Sequence, residues 1–273
     1  MKQKAVFIGN CQCSGILELL KFTSFYDKYD VKQYANWQMI KNKDAPPIKD
    51  IQTADLIVYQ PLRDEYGCYS TKRENSNSMF HEVRDCTDLI SFPRIHNNSL
   101  WPIYHITNSR EKFYGSDFLK YYYDQKIKTK NEFMYLYDNM LLDFRFDRRF
   151  NNNIEISIRK EEETDIKVVN FLEANLKKYR LFLTQDHPTT RVFEHCANYI
   201  VQKLDLNVKE YYIDDIDENI TKLRDSTYDF IDMKYPDSRY SLDHFNYEWD
   251  NHCIDNFFYR INFEDCLTKN NTT

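Results

Sequence analysis

The chain has 273 residues, a length that can bury a large core and is typical of one α/β domain, so we expect a single domain over residues 1–273. Its formal net charge is −6 and no basic block stands out, which argues against a nucleic-acid partner. No apolar run is long enough to span a bilayer, and the N-terminus runs into a strand-like segment where a signal peptide would have its apolar core. We therefore expect a cytoplasmic protein with no membrane insertion.

The first predicted element is a strand over about Ala5–Ile8, followed by a helix to about Phe25. Cys11 falls in the turn between them, bracketed by Gly9 and Gly15 in a chain that has only four glycines. Two glycines here indicate a backbone that turns sharply or is closely approached. Because a thiol at a helix start lies near the positive end of the helix dipole, we expect the pKa of Cys11 to fall below its free value of about 8.5. Cys11 is therefore a candidate nucleophile.

Three further strands are predicted in the first hundred residues, over Val31–Tyr34, Ala54–Tyr59 and Asp88–Phe92. The last two are rich in apolar residues, and they are closed by Pro61 and Pro93, since proline cannot donate a hydrogen bond to a sheet.

The middle of the chain, about Asp117–Asp147, has a helical and aromatic pattern, and Asn151–Asn153 reads as a loop. An amphipathic helix is predicted over about Thr164–Tyr179. Its apolar stripe consists of Ile166, Val169, Leu172 and Leu176.

A short strand is predicted over Arg180–Thr184, a turn over Gln185–Pro188, and then a helix whose first turn contains Pro188. The apolar residues of that helix are Val192, Phe193, Cys196, Ile200 and Leu204. Strands that alternate with helices predict a mainly parallel sheet in a three-layer α/β fold, with extra helices in the second half. Residues 206–273 form a C-terminal extension without a clear assignment.

Cys11 and His187 occupy equivalent places, because each follows a short apolar strand and precedes a helix. Such strand ends gather at one edge of an open α/β sheet, so the two residues can meet as nucleophile and base. Asn10 and the backbone N–H groups of Cys11 and Gln12 are candidates to stabilise an oxyanion. Two simpler interpretations stay open: Cys11 as a small buried residue, and His187 as a helix cap.

The other cysteines and histidines carry weaker signals. The seven cysteines lack the spacing of a disulfide framework, so we expect them to be mostly reduced. Cys11 and Cys13 form a C-x-C pair, but no second pair lies at a ligand-like spacing, and we expect no metal site. Cys13 is predicted to lie in the core, and His195 and Cys196 to pack within a helix.

Three segments together resemble the WcbI-type polysaccharide biosynthesis proteins, acetyltransferases of bacterial capsule pathways. They are Gly9-Asn10-Cys11-Gln12, Gln60-Pro61-Leu62, and the stretch from Arg180 to His187-Pro188. The resemblance covers about residues 4–205. It implies coenzyme A as co-substrate and a carbohydrate acceptor. The turn after the first strand also resembles the Gly-Asp-Ser turn of SGNH hydrolases, with sulfur replacing oxygen, which implies a flavodoxin-like three-layer sheet.

The resemblance implies that acetyl passes from acetyl-coenzyme A to a sugar hydroxyl, with Cys11 at the thioester and His187 as the general base. Gly9 and Gln12 are expected to contact the coenzyme. Its phosphates need cations, and Arg63 is the best placed because it comes just after a strand end. Two other functions stay open: a thiol esterase or deacetylase acting on carbohydrate, and an inactive glycan-binding protein.

Overall fold

The computed structural model describes residues 2–97, 146–176, 181–184 and 186–209, with isolated residues between 131 and 141. Of the pattern predicted over about Asp117–Asp147, residues 117–130 lie outside the described residues, and so do residues 210–273 of the C-terminal extension. The chain forms two compact units. The first contains Met1–His96, Ile154–Phe182 and His187–Asp229, and the second contains Asn97–Asn153, Leu183–Asp186 and Phe230–Thr273.

The first unit begins with a parallel β-sheet and its flanking helices. The strands are β1 (Gln3–Gly9), β2 (Tyr29–Ala35), β3 (Leu56–Tyr59) and β4 (Asp88–Ser91). The helices between them are α1 (Gln12–Leu20), α2 (Phe25–Lys28), α3 (Asn36–Asn42) and α4 (Ile48–Gln52), and a 3-10 helix covers Asp64–Tyr69.

The remaining described elements lie in the second half of the chain. They are α5 (Phe146–Glu161), α6 (Val169–Asn175), β5 (Phe182–Thr184), β6 (His187–Pro188) and α7 (Thr190–Lys203). Helix α5 crosses the boundary between the two units at Ile154.

The four strands lie in the order β2-β1-β3-β4, and all three pairings are parallel. This is the start of the flavodoxin-like order, in which the chain reverses direction across the sheet between β1 and β3. The predicted α/β fold with a parallel sheet is therefore confirmed. The carboxyl ends of β1 and β3, where ligands bind in such folds, carry Cys11 and Arg63 respectively.

Apolar side chains alternate between the two faces of β1, which gives the sheet a helical layer on each side. On one face, Val6 and Ile8 belong to a buried cluster that includes Met39 of α3 and Ile51 of α4. On the other face, Phe7 contacts Phe25 of α2 edge to face, with ring centroids 5.9 Å apart. These contacts account for the three layers.

The first predicted helix is too long: α1 ends at Leu20, not at Phe25. The Thr23 hydroxyl donates to the Leu20 carbonyl at 2.8 Å and accepts from the Phe25 N–H at 3.0 Å. The side chain therefore replaces the backbone partners that a continued helix would need, as threonine often does near helix ends.

The helix predicted over Thr164–Tyr179 is observed over Val169–Asn175. The Glu161 carboxylate accepts from the N–H groups of Val168 and Val169 at 2.7 and 3.1 Å. Because these bonds cap the helix at Val169, it begins after Ile166, the first residue of the predicted apolar stripe. All four predicted stripe residues are nevertheless buried. Tyr179 lies outside the described residues.

Asn151–Asn153 was predicted as a loop and lies inside α5. Asparagine costs a helix only a few tenths of a kcal/mol relative to most residues, so packing of a neighbouring side chain outweighs it. The adjacent Ile154 is buried.

The predicted turn over Gln185–Pro188 is also wrong in part, because His187–Pro188 is the short strand β6. Strands β5 and β6 form a separate two-stranded sheet, so β5 does not extend the four-stranded one. Pro188 precedes α7, which begins at Thr190. The Thr189 N–H donates to the Leu181 carbonyl at 2.9 Å, and this bond holds the backbone extended up to the helix start.

Candidate active site

Cys11 lies where the sequence predicts, between the end of β1 and the start of α1. It is the N-cap residue of that helix, with φ −56° and ψ −17°, and its side chain is partly exposed. Among the described residues, the structure thus offers a thiol at a helix start on the carboxyl edge of the sheet. The interpretation of Cys11 as a fully buried core residue is wrong.

Asn10 caps the start of α1 through its side chain. Its Oδ1 accepts from the Gln12 N–H at 3.0 Å, and its backbone carbonyl accepts from the Cys13 N–H at 3.1 Å. The Gln12 N–H is therefore engaged within the turn, which removes it from the expected oxyanion donors. The same bond fixes the amide of Asn10, whose Nδ2 keeps its predicted role as an oxyanion donor.

Gln12 and Gln60 form a buried amide network beside the Cys11 turn. Gln60 Oε1 accepts from the Asn10 N–H at 2.9 Å, and Gln60 Nε2 donates to Gln12 Oε1 at 3.0 Å. Gln12 also pairs with both backbone groups of Ile95: Nε2 donates to its carbonyl at 2.6 Å, and Oε1 accepts from its N–H at 3.1 Å. A coenzyme contact by the Gln12 side chain stays a prediction, while its amide serves to join the turns after β1, β3 and β4.

Other side chains approach the Gly9 backbone closely, as a glycine at this position suggests. A side-chain carbon at this position would lie 2.6 Å from Cys13 Sγ and 3.1 Å from Gln60 Oε1. The contact of Gly9 with the coenzyme stays a prediction.

Cys13 is fully buried, which confirms its place in the core, and burial raises the pKa of its thiol far above the usual range.

His187 lies in β6, three residues before the start of α7. The residue is partly exposed, and its Nε2 atom is buried. Like Cys11, it stands directly in front of a helix that belongs to the first unit.

Helices α1 and α7 contact each other close to their N-termini. A side-chain carbon on Gly15 would lie 2.5 Å from Cδ2 of Phe193, so only glycine lets the ring approach this closely. Gly15 and Phe193 are each the fourth residue of their helix. At 1.5 Å of rise per residue, both helix starts lie about 4.5 Å along the axis from this contact. The packing therefore brings the Cys11 and His187 segments to the same region, and a direct bond between them stays a prediction.

Arg63 follows β3 and is exposed. Two cations farther along the segment after β3 are engaged in ion pairs: Lys72 with Glu163 at 2.7 Å, and Arg73 with Asp85 at 2.8 Å. Arg63 therefore keeps its place as the expected phosphate contact.

His195 and Cys196 pack within α7, as expected. The His195 ring stacks on Phe171 with centroids 4.5 Å apart, and its Nε2 lies 2.7 Å from the Lys167 carbonyl oxygen. Cys196 is buried, which raises the pKa of its thiol to about 12. Neither side chain is a candidate for the reaction.

Within the described part of the chain, no three His, Cys, Asp or Glu side chains gather as metal ligands would. No helix in that part is both long and apolar enough to cross a bilayer.

No role is predicted for Gln60 from the sequence, although Gln60-Pro61-Leu62 is one of the three segments that carry the family resemblance. The available signal was a polar residue that follows a buried strand directly, at the edge where ligands bind.

Comparison with known proteins places this arrangement in a family. The model of the polysaccharide biosynthesis enzyme WcbI matches residues 4–209. A solved structure of WcbI, described as a novel polysaccharide biosynthesis enzyme in its native form without a disulfide bond between coenzyme A and one of its cysteines, has a TM-score of 0.57 and 18% identity. It covers 79% of this chain and 72% of that one, and the likeness shows a shared fold. No curated protein matches the sequence. Since the family match spans well over half of the residues, the chain belongs to the WcbI family of polysaccharide biosynthesis enzymes.

Proposed function

We propose that the protein transfers an acetyl group from acetyl-coenzyme A to a sugar hydroxyl, at a site formed by Cys11 and His187. The observation that carries the proposal is the partly exposed Cys11 thiol at the start of α1, next to the β1–β3 reversal of a parallel sheet. Ligands of doubly wound folds bind at this reversal, beyond the carboxyl ends of the strands. Membership of a family of polysaccharide biosynthesis enzymes supports a carbohydrate acceptor.

Coenzyme A has a sulfur end and a phosphate end, and this edge of the sheet offers a suitable group for each. The related WcbI structure is described by reference to a disulfide between coenzyme A and a cysteine, so a thiol lies within reach of the coenzyme sulfur in that protein. By analogy, the sulfur of the coenzyme would lie beside Cys11 in this protein. Arg63, after the neighbouring strand β3, supplies a guanidinium for the phosphates.

His187 removes the proton in the proposed reaction, and two routes are open. In the first, it deprotonates the Cys11 thiol, and a C–S bond forms at Cys11 as the thioester C–S bond breaks. The sugar oxygen then displaces the Cys11 sulfur, while its hydroxyl proton passes to His187 and from there to the leaving sulfur. In the second, it deprotonates the sugar hydroxyl, which attacks the thioester directly. In both routes, the coenzyme thiol leaves with the proton, and Asn10 Nδ2 stabilises the oxyanion. Mass spectrometry of Cys11 after incubation with acetyl-coenzyme A alone separates the routes, because only the first adds an acetyl group to the protein.

Thermal unfolding with coenzyme A tests the proposal. A ligand that binds only the folded state adds about 2.7 kcal/mol of stability at 100 times its dissociation constant, so the melting temperature should rise. The increase should be smaller in Arg63→Ala, with an affinity about 10-fold lower, or about 1.4 kcal/mol.

Arg84→Ala is the matched control for Arg63→Ala. Arg84 bonds the Ala54 carbonyl and the Asp55 carboxylate, which precede β3, at the opposite edge of the sheet. This variant should keep the full coenzyme response. No thermal shift in the wild type at millimolar coenzyme A would contradict the transferase and leave the thiol esterase as the better explanation of the same thiol.

A further inference from the structure

The Gln60 side chain lies at the centre of a polar network that joins the turn after β1 to the segment after β3. Its amide is buried, and it uses both ends: Oε1 accepts from the Asn10 N–H at 2.9 Å, and Nε2 donates to Gln12 Oε1 at 3.0 Å. These two partners flank Cys11 in the sequence. One side chain directly after β3 thus holds the residue before Cys11 and the residue after it.

The network continues across the sheet to the segment after β4. Gln12 engages both the N–H and the carbonyl of Ile95, so its amide cannot rotate without breaking two bonds. Gln60 therefore bonds to a partner that is itself fixed. The turn after β1 is thereby connected to the segment after its neighbour β3 and, through Gln12, to the segment after β4.

The close packing at Gly9 makes this tie rigid. A side-chain carbon there would lie 3.1 Å from Gln60 Oε1, so the strand end and the Gln60 amide are in direct contact. Asn10 is held twice, by its backbone N–H on Gln60 and by its Oδ1 on the Gln12 N–H. The backbone of Asn10 is therefore restrained by Gln60, and its side chain by the Gln12 N–H.

We propose that Gln60 is a positioning residue of the reaction, which acts through Asn10 to fix the oxyanion donor and the Cys11 thiol. The inference rests on the proposed acyl transfer for its effect on turnover. In this role, Gln60 sets the conformation of the turn that carries the oxyanion donor and the Cys11 thiol. A shift of about 1 Å in a reacting group can lower a rate by about 10²-fold, which is the size of effect available to such a residue.

A double-mutant cycle separates this role from a purely structural one. Gln60→Met has a similar volume and breaks both hydrogen bonds, and we expect it to lower kcat by about 10²-fold while the KM for acetyl-coenzyme A changes less than about two-fold. If Gln60 acts through Asn10, the double variant with Asn10→Ala should be hardly slower than Asn10→Ala alone. Effects that multiply would overturn the proposal.

The rate of Cys11 alkylation by iodoacetamide gives a readout that needs no transferase activity. A thiol displaced from the helix start loses thiolate, and a change of one pKa unit corresponds to about a 10-fold slower reaction well below the pKa. We expect that decrease in Gln60→Met. An unchanged rate would overturn the proposal even if acetyl transfer proved to be the wrong reaction, whereas a decrease without detectable transfer in the wild type would keep the positioning role and reject the proposed function.

Gln33→Met is the matched control. Gln33 also lies on a strand beside β1, and its Nε2 donates to the Ser14 hydroxyl of α1 at 2.9 Å, one turn beyond Cys11. Loss of the Gln33 amide should leave kcat and the rate of Cys11 alkylation within about two-fold of the wild type. Should Gln60→Met fail to fold, Gln60→Asn, whose side chain is one carbon shorter and withdraws the acceptor from the Asn10 N–H, enters the same cycle with the same outcomes.

Discussion

The helix starts that carry Cys11 and His187 are held by different means. At α1, a side-chain cap from Asn10 and the buried amides of Gln12 and Gln60 surround the turn, and the preceding strand is central in the sheet. At α7, the preceding strand is the short β6, which belongs to a separate two-stranded sheet.

This difference assigns distinct tasks to the two segments. The α1 turn is fixed to the segments after β3 and β4, which suits a group that must keep its place relative to the thioester. The α7 start depends on the backbone bond from Thr189 to Leu181 and on helix packing at Gly15 and Phe193. A general base tolerates such a position, because catalytic hydrogen bonds often tighten only once substrate is bound.

The largest expected effect follows from removal of the base. His187→Ala should lower acetyl transfer by about 10²–10⁴-fold, because a general base typically contributes that much. Coenzyme A affinity, measured by calorimetry, should stay within about two-fold. His195→Ala is the control, since that ring stacks on Phe171. Near-normal turnover in a folded His187→Ala protein would contradict the mechanism.

A second prediction compares two thiols of the same turn. Cys11 is partly exposed, whereas Cys13 is buried with a raised pKa, so Cys11 should alkylate at least about 100-fold faster near neutral pH. Peptide mapping after limited iodoacetamide treatment measures the ratio. Cys68 and Cys86 are exposed and serve as internal references for ordinary thiols. Faster labelling of either than of Cys11 would remove the main support for the nucleophile.

The contact between the two helix starts can be broken directly. Gly15→Ala places a carbon against the Phe193 ring, and such overpacking typically costs about 1–3 kcal/mol. We expect a loss of that size in urea unfolding, together with lower transfer activity. Ser14→Ala should change stability by less than about 0.5 kcal/mol. Recovery of both properties in Gly15→Ala combined with Phe193→Leu would confirm the contact as the cause; absence of any recovery would assign the loss to the helix itself.

The last prediction concerns alkaline stability. The folded-state pKa of Cys196 is raised to about 12 from 9.0, so above pH 9 the folded state binds more protons than the unfolded state. Stability from this thiol is present below pH 9 and is lost as the pH rises from 9 to about 12, at up to about 1.4 kcal/mol per pH unit. Cys196→Ala should therefore show a shallower decline than the wild type in urea midpoints over this range. Equal slopes would contradict the burial effect.

The sequence by itself determined the parallel α/β sheet, the strand–turn–helix at Cys11 and the core position of Cys13. These depend on local signals: apolar runs of strand length, a glycine at a turn, and a helical period that starts at once. Short-range patterns are reliable there because neighbouring residues set the backbone.

Only the tertiary structure decided the partners of Gln12 and Gln60, the late start of α6, and the contact between Gly15 and Phe193. Each depends on residues far apart in sequence, such as Gln12 and Ile95, whose hydrogen bonds form only after the strand ends meet at one edge. A buried amide must find its partners in the folded protein, so its role depends on the strand order and is absent from any local pattern.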